Sequence, residues 1–116
     1  MTELRSHRPL PHHKLVAYHV ALDLIRVVRS AEIRDSKLRD QAMRAAKSAA
    51  LNIAEAAGRT SPADRARVFA IARGEAMEAA AAVEIAVLAG DADADAFGAC
   101  LPVADRLVAL LTALCR

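Results

Sequence analysis

Residues 41–59 read QAMRAAKSAALNIAEAAGR, and this stretch decides the kind of fold. An α-helix turns 100° per residue, so residues three and four positions apart lie on one face. One face of this helix collects small and apolar residues, namely Ala42, Ala45, Ala46, Ala49 and Ile53. Another face collects polar residues, namely Gln41, Arg44, Ser48, Asn52 and Glu55. The pattern predicts an amphipathic helix from about Asp35 to Ala57 that stops at Gly58 and packs closely against its neighbours.

The same spacing of apolar side chains predicts a helix over residues 13–30 and another from the Asp-rich turn at 91–95 to the end of the chain. Pro102 lies inside this last helix, and we expect a kink there rather than a break because the apolar spacing stays in phase. Residues 1–12 contain two prolines and predict an irregular arm. The sequence therefore predicts an all-α protein, with an antiparallel up-down four-helix bundle over residues 13–116.

The third helix of this bundle shows more apolar surface than one neighbour can cover. It begins at Ser61 and Pro62, which suit an N-cap and a first helical turn, and it runs to about Ala89. Its apolar residues outside the main stripe are Ile71, Met77, Ile85 and Leu88. A helix that is apolar on several sides needs several neighbours, so we expect self-association. Gly74 within it predicts a close approach of another helix.

The composition bounds the class of protein. Of the 116 residues 29 are alanine, and the chain has no Trp, one Tyr and two Phe, so one domain with a thin core is expected. Charges interrupt the apolar stretches and no apolar leader is found, so we expect neither a membrane span nor a signal peptide. The two cysteines, Cys100 and Cys115, do not form a disulfide framework, and a reducing cytoplasm is the simpler location.

Charge divides unevenly along the chain. Residues 1–73 hold 14 Lys and Arg against 7 Asp and Glu, whereas residues 74–116 hold 2 against 7. Either the basic part binds a polyanion such as RNA or DNA, or the two parts attract each other within or between subunits. The candidate phosphate-binding residues are Arg34, Lys37, Arg44, Lys47, Arg59, Arg65, Arg67 and Arg73. The alternative for Arg44, Asn52 and Glu55 is a structural polar network that fixes the second helix.

Catalytic and metal-binding patterns are missing from the sequence. His7, His12, His13 and His19 lie at or before the first helix and belong to no metal-ligand motif. Glu-x-x-His pairs on two helices, which di-iron bundles require, do not occur. There is no phosphate-binding glycine loop and no nucleophile with a neighbouring base. We therefore predict a protein without catalytic residues, metal or cofactor.

A family resemblance extends over roughly residues 13–115. The matching residues are Gln41, Arg44, Ala45, Ala46, Ser48, Asn52, Ile53, Ala54, Glu55, Gly58, Arg59, Ser61, Asp64, Phe69, Ile71, Ala72, Arg73, Gly74 and Glu78. Upstream, Lys14, Leu15, Val16, Ala17, Tyr18 and Ala21 resemble the family's opening. This pattern resembles that of the four-helix-bundle proteins encoded by intervening sequences within 23S rRNA genes.

The resemblance implies a fold and a range of partners. Members look like up-down bundles that form homopentamers around a central channel, and most have no assigned activity. A related branch, the accessory proteins of diversity-generating retroelements, binds a reverse transcriptase and nucleic acid through a basic pentamer surface.

The sequence leaves three functions open. The leading one is a cytoplasmic, non-enzymatic homo-oligomer that acts as a nucleic-acid- or ribonucleoprotein-associated binding module, with RNA, DNA or a reverse transcriptase as partner. The alternative is a protein-interaction scaffold that binds no nucleic acid. The third is an enzyme with a site at subunit junctions, where Glu55 or Glu78 would meet a His of another subunit.

Overall fold

A computed structural model describes residues 8–116 of the chain and shows a bundle of four α-helices. No strand occurs within these residues. Helices adjacent in sequence pack against each other, the first packs against the fourth, and the first and third make little contact across the diagonal. The predicted antiparallel up-down bundle is thus confirmed. Its elements are a 3₁₀ helix at Pro11–Lys14, α1 at Val16–Ser30, α2 at Ser36–Gly58, α3 at Pro62–Leu88 and α4 at Ala96–Leu114.

The start of the bundle differs from the prediction. Pro11 opens the 3₁₀ helix, and Leu15 then adopts an extended backbone with φ −93° and ψ 124°. The first α-helix therefore begins at Val16, and the predicted start at His13 is wrong because this extended residue separates the two helices. Residues 1–7 of the predicted irregular arm lie outside the described part of the chain.

Side-chain caps fix where two of the helices begin. The Asp35 carboxylate accepts a hydrogen bond from the Leu38 N–H at 2.9 Å, and the Ser61 hydroxyl accepts one from the Asp64 N–H at 3.3 Å. These bonds satisfy N–H groups that have no partner within the first turn of a helix. The predicted cap at Ser61 is confirmed. Helix α4 continues through Pro102 without ending, as the apolar spacing predicted.

Alanine allows the helices of this bundle to pack closely. All fully buried residues in the described range are apolar, and the seven buried residues of α2 are six alanines and Ile53. Gly74, by contrast, is exposed, and no atom lies within 4 Å of the position that its Cβ would take. No helix of the same chain approaches Gly74, because it lies on the outer face of α3, and an approach by another copy stays a prediction. The largest fully buried side chains are Phe69, Leu24, Ile33, Ile53, Leu107 and Leu111.

Apolar side chains also remain outside the core. Ile71, Met77 and Ile85 are 43%, 49% and 53% exposed, so their predicted position outside the main stripe is confirmed. Met77 lines a groove of about 280 Å³ between α3 and α4, together with Phe97 and Leu101. A single chain therefore leaves a mainly apolar groove in contact with water, with Glu84 and Asp105 also among its lining residues.

Helix α4 is the most hydrophobic helix of the bundle. Its mean hydropathy of 1.6 and its 19 residues would suffice, by length and composition alone, for a membrane span. Asp105 and Arg106 interrupt this stretch, as the sequence predicted, so α4 meets the criterion only because two charges are tolerated in it. In the fold this helix packs against α1 and α3 and supplies Leu107 and Leu111 to the core.

Candidate nucleic-acid interface

The fold places acidic and basic residues preferentially at opposite ends of the bundle. In an up-down bundle the α1–α2 and α3–α4 connections meet at one end, and here the Arg34 N–H donates to the Asp91 carbonyl at 2.7 Å. These two connections, residues 31–35 and 89–95, form what we call the acidic end. Their charged residues are one cation, Arg34, and five carboxylates, Glu32, Asp35, Asp91, Asp93 and Asp95, and two further cations, Lys37 and Arg39, follow in the first turn of α2.

The opposite end has the reverse composition. It consists of residues 8–15, the α2–α3 connection with the first turn of α3 (residues 59–67), and residues 115–116, and we call it the basic end. Asp64 is its one carboxylate side chain. Helix α2, with 23 residues, is about 35 Å long, so the two ends are well separated. The cations of the basic end are Arg8, Lys14, Arg59, Arg65, Arg67 and Arg116.

The predicted phosphate-binding residues do not share one face. Arg59, Arg65 and Arg67 come together at the basic end, whereas Arg34 and Lys37 lie at or next to the acidic end. Arg44 and Lys47 lie midway along α2, and Arg73 lies within α3. Of the eight predicted residues, the structure therefore groups three at the basic end and spreads the other five along the bundle.

Ion pairs engage half of the predicted cations. The shortest contacts are 3.4 Å for Arg34 with Asp93, 3.2 Å for Arg44 with Glu78, 2.7 Å for Arg59 with Glu55 and 2.8 Å for Arg67 with Asp64. Exposed pairs of this kind contribute little to stability, so a phosphate can replace the carboxylate at small cost. Among the described residues, Lys37, Lys47 and Arg65 form no ion pair.

Arg73 points towards α4 rather than towards α2. Its Nε donates to the Thr112 hydroxyl at 2.8 Å, and that hydroxyl donates to the Val108 carbonyl at 2.7 Å. The side chain is half-buried, and its hydrogen bond joins α3 to α4. Arg73 therefore acts as an interhelical contact in this fold.

Asp64 organises the cations at the start of α3. Its carboxylate lies 2.8 Å from Arg67 Nη2 and 3.3 Å from Arg59 Nη1. The hydrogen bond from Arg67 holds the pKa of Asp64 below its usual value. The hydrogen bond to Glu55, with the charge of Asp64, raises the pKa of Arg59. Two guanidinium groups are thus held side by side and remain charged.

A crevice at the basic end joins the last residue of the chain to α3. It measures about 220 Å³ and is lined by Arg65 and Arg116, with Phe69 and Leu114 beside them. Neither arginine forms an ion pair with any residue in the range 8–116. Two unpaired guanidinium groups around one concavity form an arrangement that suits a phosphate.

The polar network predicted for Arg44, Asn52 and Glu55 does not form within the chain. Asn52 donates instead to the carbonyl and hydroxyl of Ser48, at 2.9 and 3.1 Å. Arg44 bonds to Glu78 on α3, and Glu55 bonds to Arg59. Arg44 therefore does join α2 to a neighbouring helix, but the three residues do not bond to one another, because Arg44 and Glu55 lie on the exposed face of α2 and each has a separate partner.

A cluster of aromatic rings lies at the basic end, which the sequence analysis missed. The ring of His12 lies 4.2 Å from His13 and 4.6 Å from Tyr18, measured between centroids, and His19 lies 5.7 Å from Tyr18. The 3₁₀ helix brings these rings together, and the Leu10 N–H donates to His13 Nδ1 at 2.9 Å. We call these four side chains the ring cluster. The signal for this cluster in the sequence is the pair His12 and His13, followed by Tyr18 six residues after His12.

The thiols and possible metal ligands give no second site. Cys100 is buried, Cys115 is half-buried, and both are free. Burial raises the pKa of the Cys100 thiol, which keeps it protonated and unreactive. Within residues 8–116, no group of three or more His, Cys, Asp or Glu side chains could hold a metal ion.

Comparison with known proteins identifies the family. The profile of the 23S rRNA-intervening sequence protein family matches residues 15–113. The chain belongs to this family. No curated protein matches the chain significantly.

The family match covers the bundle but only part of the basic end. Because it begins at Leu15, it includes Tyr18 and His19 and excludes His12 and His13.

Proposed function

We propose that this chain is a non-enzymatic, self-associating bundle of the cytoplasm that binds RNA or DNA, alone or in a ribonucleoprotein, through its basic end. The observation behind this proposal is the placement of six cations and one carboxylate side chain at one end of the fold. The opposite end, with five carboxylates, repels a polyanion and so orients it.

Phosphate groups can reach the basic end directly. Lys14, Arg65 and Arg116 are exposed, and Asp64 holds Arg59 and Arg67 in place. Cations that converge on a phosphate backbone gain affinity by releasing its counterions, and this gain depends strongly on salt. The basic end has no helix shaped to read base edges in a groove, so the expected binding is mainly independent of sequence.

Self-association is part of the same proposal. The groove beside Met77 and Leu101 is apolar, and both side chains are 49% exposed. Burial of such surface between copies is favourable in proportion to its area. The family resemblance implies a homopentamer, and copies arranged in parallel around a ring would place all their basic ends on one side. A solution mass well above 12.3 kDa would support this part, and a monomer would refute it.

Binding can be tested with fluorescently labelled 20-nucleotide RNA and DNA, followed by anisotropy over a range of KCl concentrations. We expect binding at low salt that weakens steeply as salt rises. The double variant Arg65→Gln/Arg116→Gln should lower the slope of log Kd against log salt by about one to two. The matched control Lys37→Gln/Lys47→Gln removes two cations outside the basic end and should change this slope less. Absence of binding at low salt would refute the proposal.

A protein-interaction scaffold is the second candidate. The four cations already in ion pairs support it, because they need no phosphate for charge balance. A scaffold of this kind would retain one stoichiometric protein partner, such as a reverse transcriptase, after nuclease treatment. It would show no salt-dependent binding to either labelled oligonucleotide.

A further inference from the structure

The ring cluster lies at the same end of the bundle as the basic cations, where the 3₁₀ helix packs against α1 and α2 while Arg65 and Arg67 lie in the first turn of α3. We infer that His12, His13, Tyr18 and His19 stack against unpaired bases, so that the basic end selects single-stranded nucleic acid. This inference rests on the proposed function, since it specifies which form of RNA or DNA the same end binds.

The geometry leaves ring surface available to a ligand. His12 and Tyr18 meet edge to face at an interplanar angle of 70°, and Tyr18 and His19 do so at 80°. In such pairs one ring covers only part of the other. His12, His13 and Tyr18 are half-buried, and His19 is exposed. The cluster is therefore anchored to the bundle on one side and open to solvent on the other.

The hydrogen bonds of the cluster hold its rings in place. His13 Nδ1 accepts from the Leu10 N–H, and His19 Nε2 lies 2.8 Å from the His13 carbonyl oxygen. Rings fixed in this way lose little conformational freedom when a base stacks on them. Burial, with the neighbouring charges of His13 and His19, lowers the pKa of His12, so this ring is neutral at pH 7.

Selectivity for single strands follows from whether the faces of the bases are exposed. Stacking of bases on aromatic side chains tolerates any sequence, because every base has a π-face. In a duplex those faces are stacked inside the helix, and only phosphates reach a protein surface of this shape. The cations of the basic end act on both forms, whereas the rings act only on the unpaired form.

The chain provides its own reporter for this test. Tyr18 is the only tyrosine and tryptophan is absent, so the intrinsic fluorescence of the protein comes from the ring cluster. We expect U20 RNA and dT20 DNA to quench this fluorescence, after correction for absorbed light with free tyrosine amide. A 20-base-pair duplex should bind through phosphates and leave the fluorescence nearly unchanged.

Ring variants separate stacking from a merely structural role. His12→Leu keeps apolar volume but removes the ring, and we expect it to weaken binding to U20 and dT20 about tenfold. His12→Phe keeps a ring and should bind almost as the unmodified protein does. His19→Leu removes an exposed ring and its contact with the His13 carbonyl, and it should weaken binding with little change in Tm. If His12→Leu unfolds, His19→Leu still gives the answer.

The outcomes distinguish this inference from the function on which it rests. If single strands and duplex bind equally well and the ring variants bind normally, the ring cluster is structural and the inference is wrong, while the proposed function stands. If neither form binds at low salt, both are wrong. If only one of dT20 and U20 binds and that strand quenches Tyr18, the inference stands and the sugar or the thymine methyl group is also recognised.

Discussion

Arg34 and Asp93 are 59 positions apart in the chain, and 3.4 Å separates the Arg34 Nη1 atom from the Asp93 Oδ1 atom. The same guanidinium donates to the Gly90 carbonyl at 2.8 Å, and the Arg34 main chain donates to the Asp91 carbonyl. One residue of the α1–α2 connection thus holds the α3–α4 connection at three points. These three contacts hold together the two connections of the acidic end, which are far apart in the sequence.

Removal of this side chain should therefore lower stability. We expect Arg34→Ala to lower the free energy of unfolding by about 1 kcal/mol, because the Gly90 carbonyl loses a charged donor. Urea denaturation measures this change. Lys37→Ala, which removes an exposed cation nearby, should have little effect. Equal effects of the two variants would show that the loss comes from net charge and not from the hydrogen bond.

Two glycines should respond in opposite directions to the same substitution. Gly90 follows α3 with φ 82°, a conformation that costs a residue with a side chain about 1 kcal/mol. Gly74 lies in the middle of α3 with open space around its missing Cβ. We expect Gly90→Ala to lower Tm and Gly74→Ala to raise it, the latter by removing about 1 kcal/mol of helix penalty. Thermal unfolding followed by circular dichroism tests both, and a fall in Tm for Gly74→Ala would show that its surroundings are not open.

The sequence predicted the helices well because their signals are local. The caps at Asp35 and Ser61 and the apolar spacing across Pro102 depend on residues a few positions apart. The sequence did not show how the charges are arranged in space, because a division at residue 73 follows chain order. The up-down topology instead places Arg65 beside Arg116 and joins Arg34 to Asp93.

The ring cluster was missed for a related reason. His12 and Tyr18 lie on two different short elements, and Leu15 between them is extended. A continuous helix from His13 would direct these side chains differently, so no helical periodicity could bring the rings together. Predicting the cluster required the turn between the 3₁₀ helix and α1, which is set by two backbone angles at Leu15.

The alanine packing of α2 gives a third prediction. Ala49 is fully buried, whereas Ala70 on α3 is exposed. Ala49→Leu adds three carbon atoms where neighbouring helices touch, and we expect it to lower the free energy of unfolding by about 1–3 kcal/mol. Ala70→Leu adds the same atoms in solvent and should leave stability nearly unchanged. If both variants unfold at the same urea concentration, the space beside Ala49 is larger than the structure indicates.

The histidines give a pH-dependent prediction. The folded-state pKa of His12 lies below its ordinary value of 6.5, so the unfolded chain binds a proton more readily than the folded one. The contribution of His12 to stability is therefore fully present above pH 6.5 and is lost as the pH falls through the lowered pKa. We expect the midpoint of urea-induced unfolding to fall as the pH is lowered from 7.5 to 5, and to fall less in His12→Gln. His19→Gln removes one of the neighbouring charges that lower the pKa of His12, and it should reduce the fall by a smaller amount.

This pH range isolates the histidine from the carboxylates. Asp64 also has a lowered pKa, but its contribution is lost only below its ordinary value of 3.8. An unfolding midpoint that does not change between pH 7.5 and 5 would contradict the prediction. An identical decline in His12→Gln would assign the change to another group.

The exposed groove between α3 and α4 gives the last prediction. Met77 and Leu101 face each other across it, and each leaves about half of its side chain in solvent. Glu84 and Asp105 also line the groove, so a lysine placed in it has a carboxylate partner in the single chain, but association through the groove would still remove water from both charges at a cost of several kcal/mol. Leu101→Lys should therefore dissociate the assembly while the helix content of each chain stays the same, as measured by light scattering and circular dichroism. Val16→Lys is a matched control, because Val16 is 53% exposed and belongs to α1, diagonal to α3. An assembly of unchanged mass in Leu101→Lys would place the contact between copies elsewhere on the bundle.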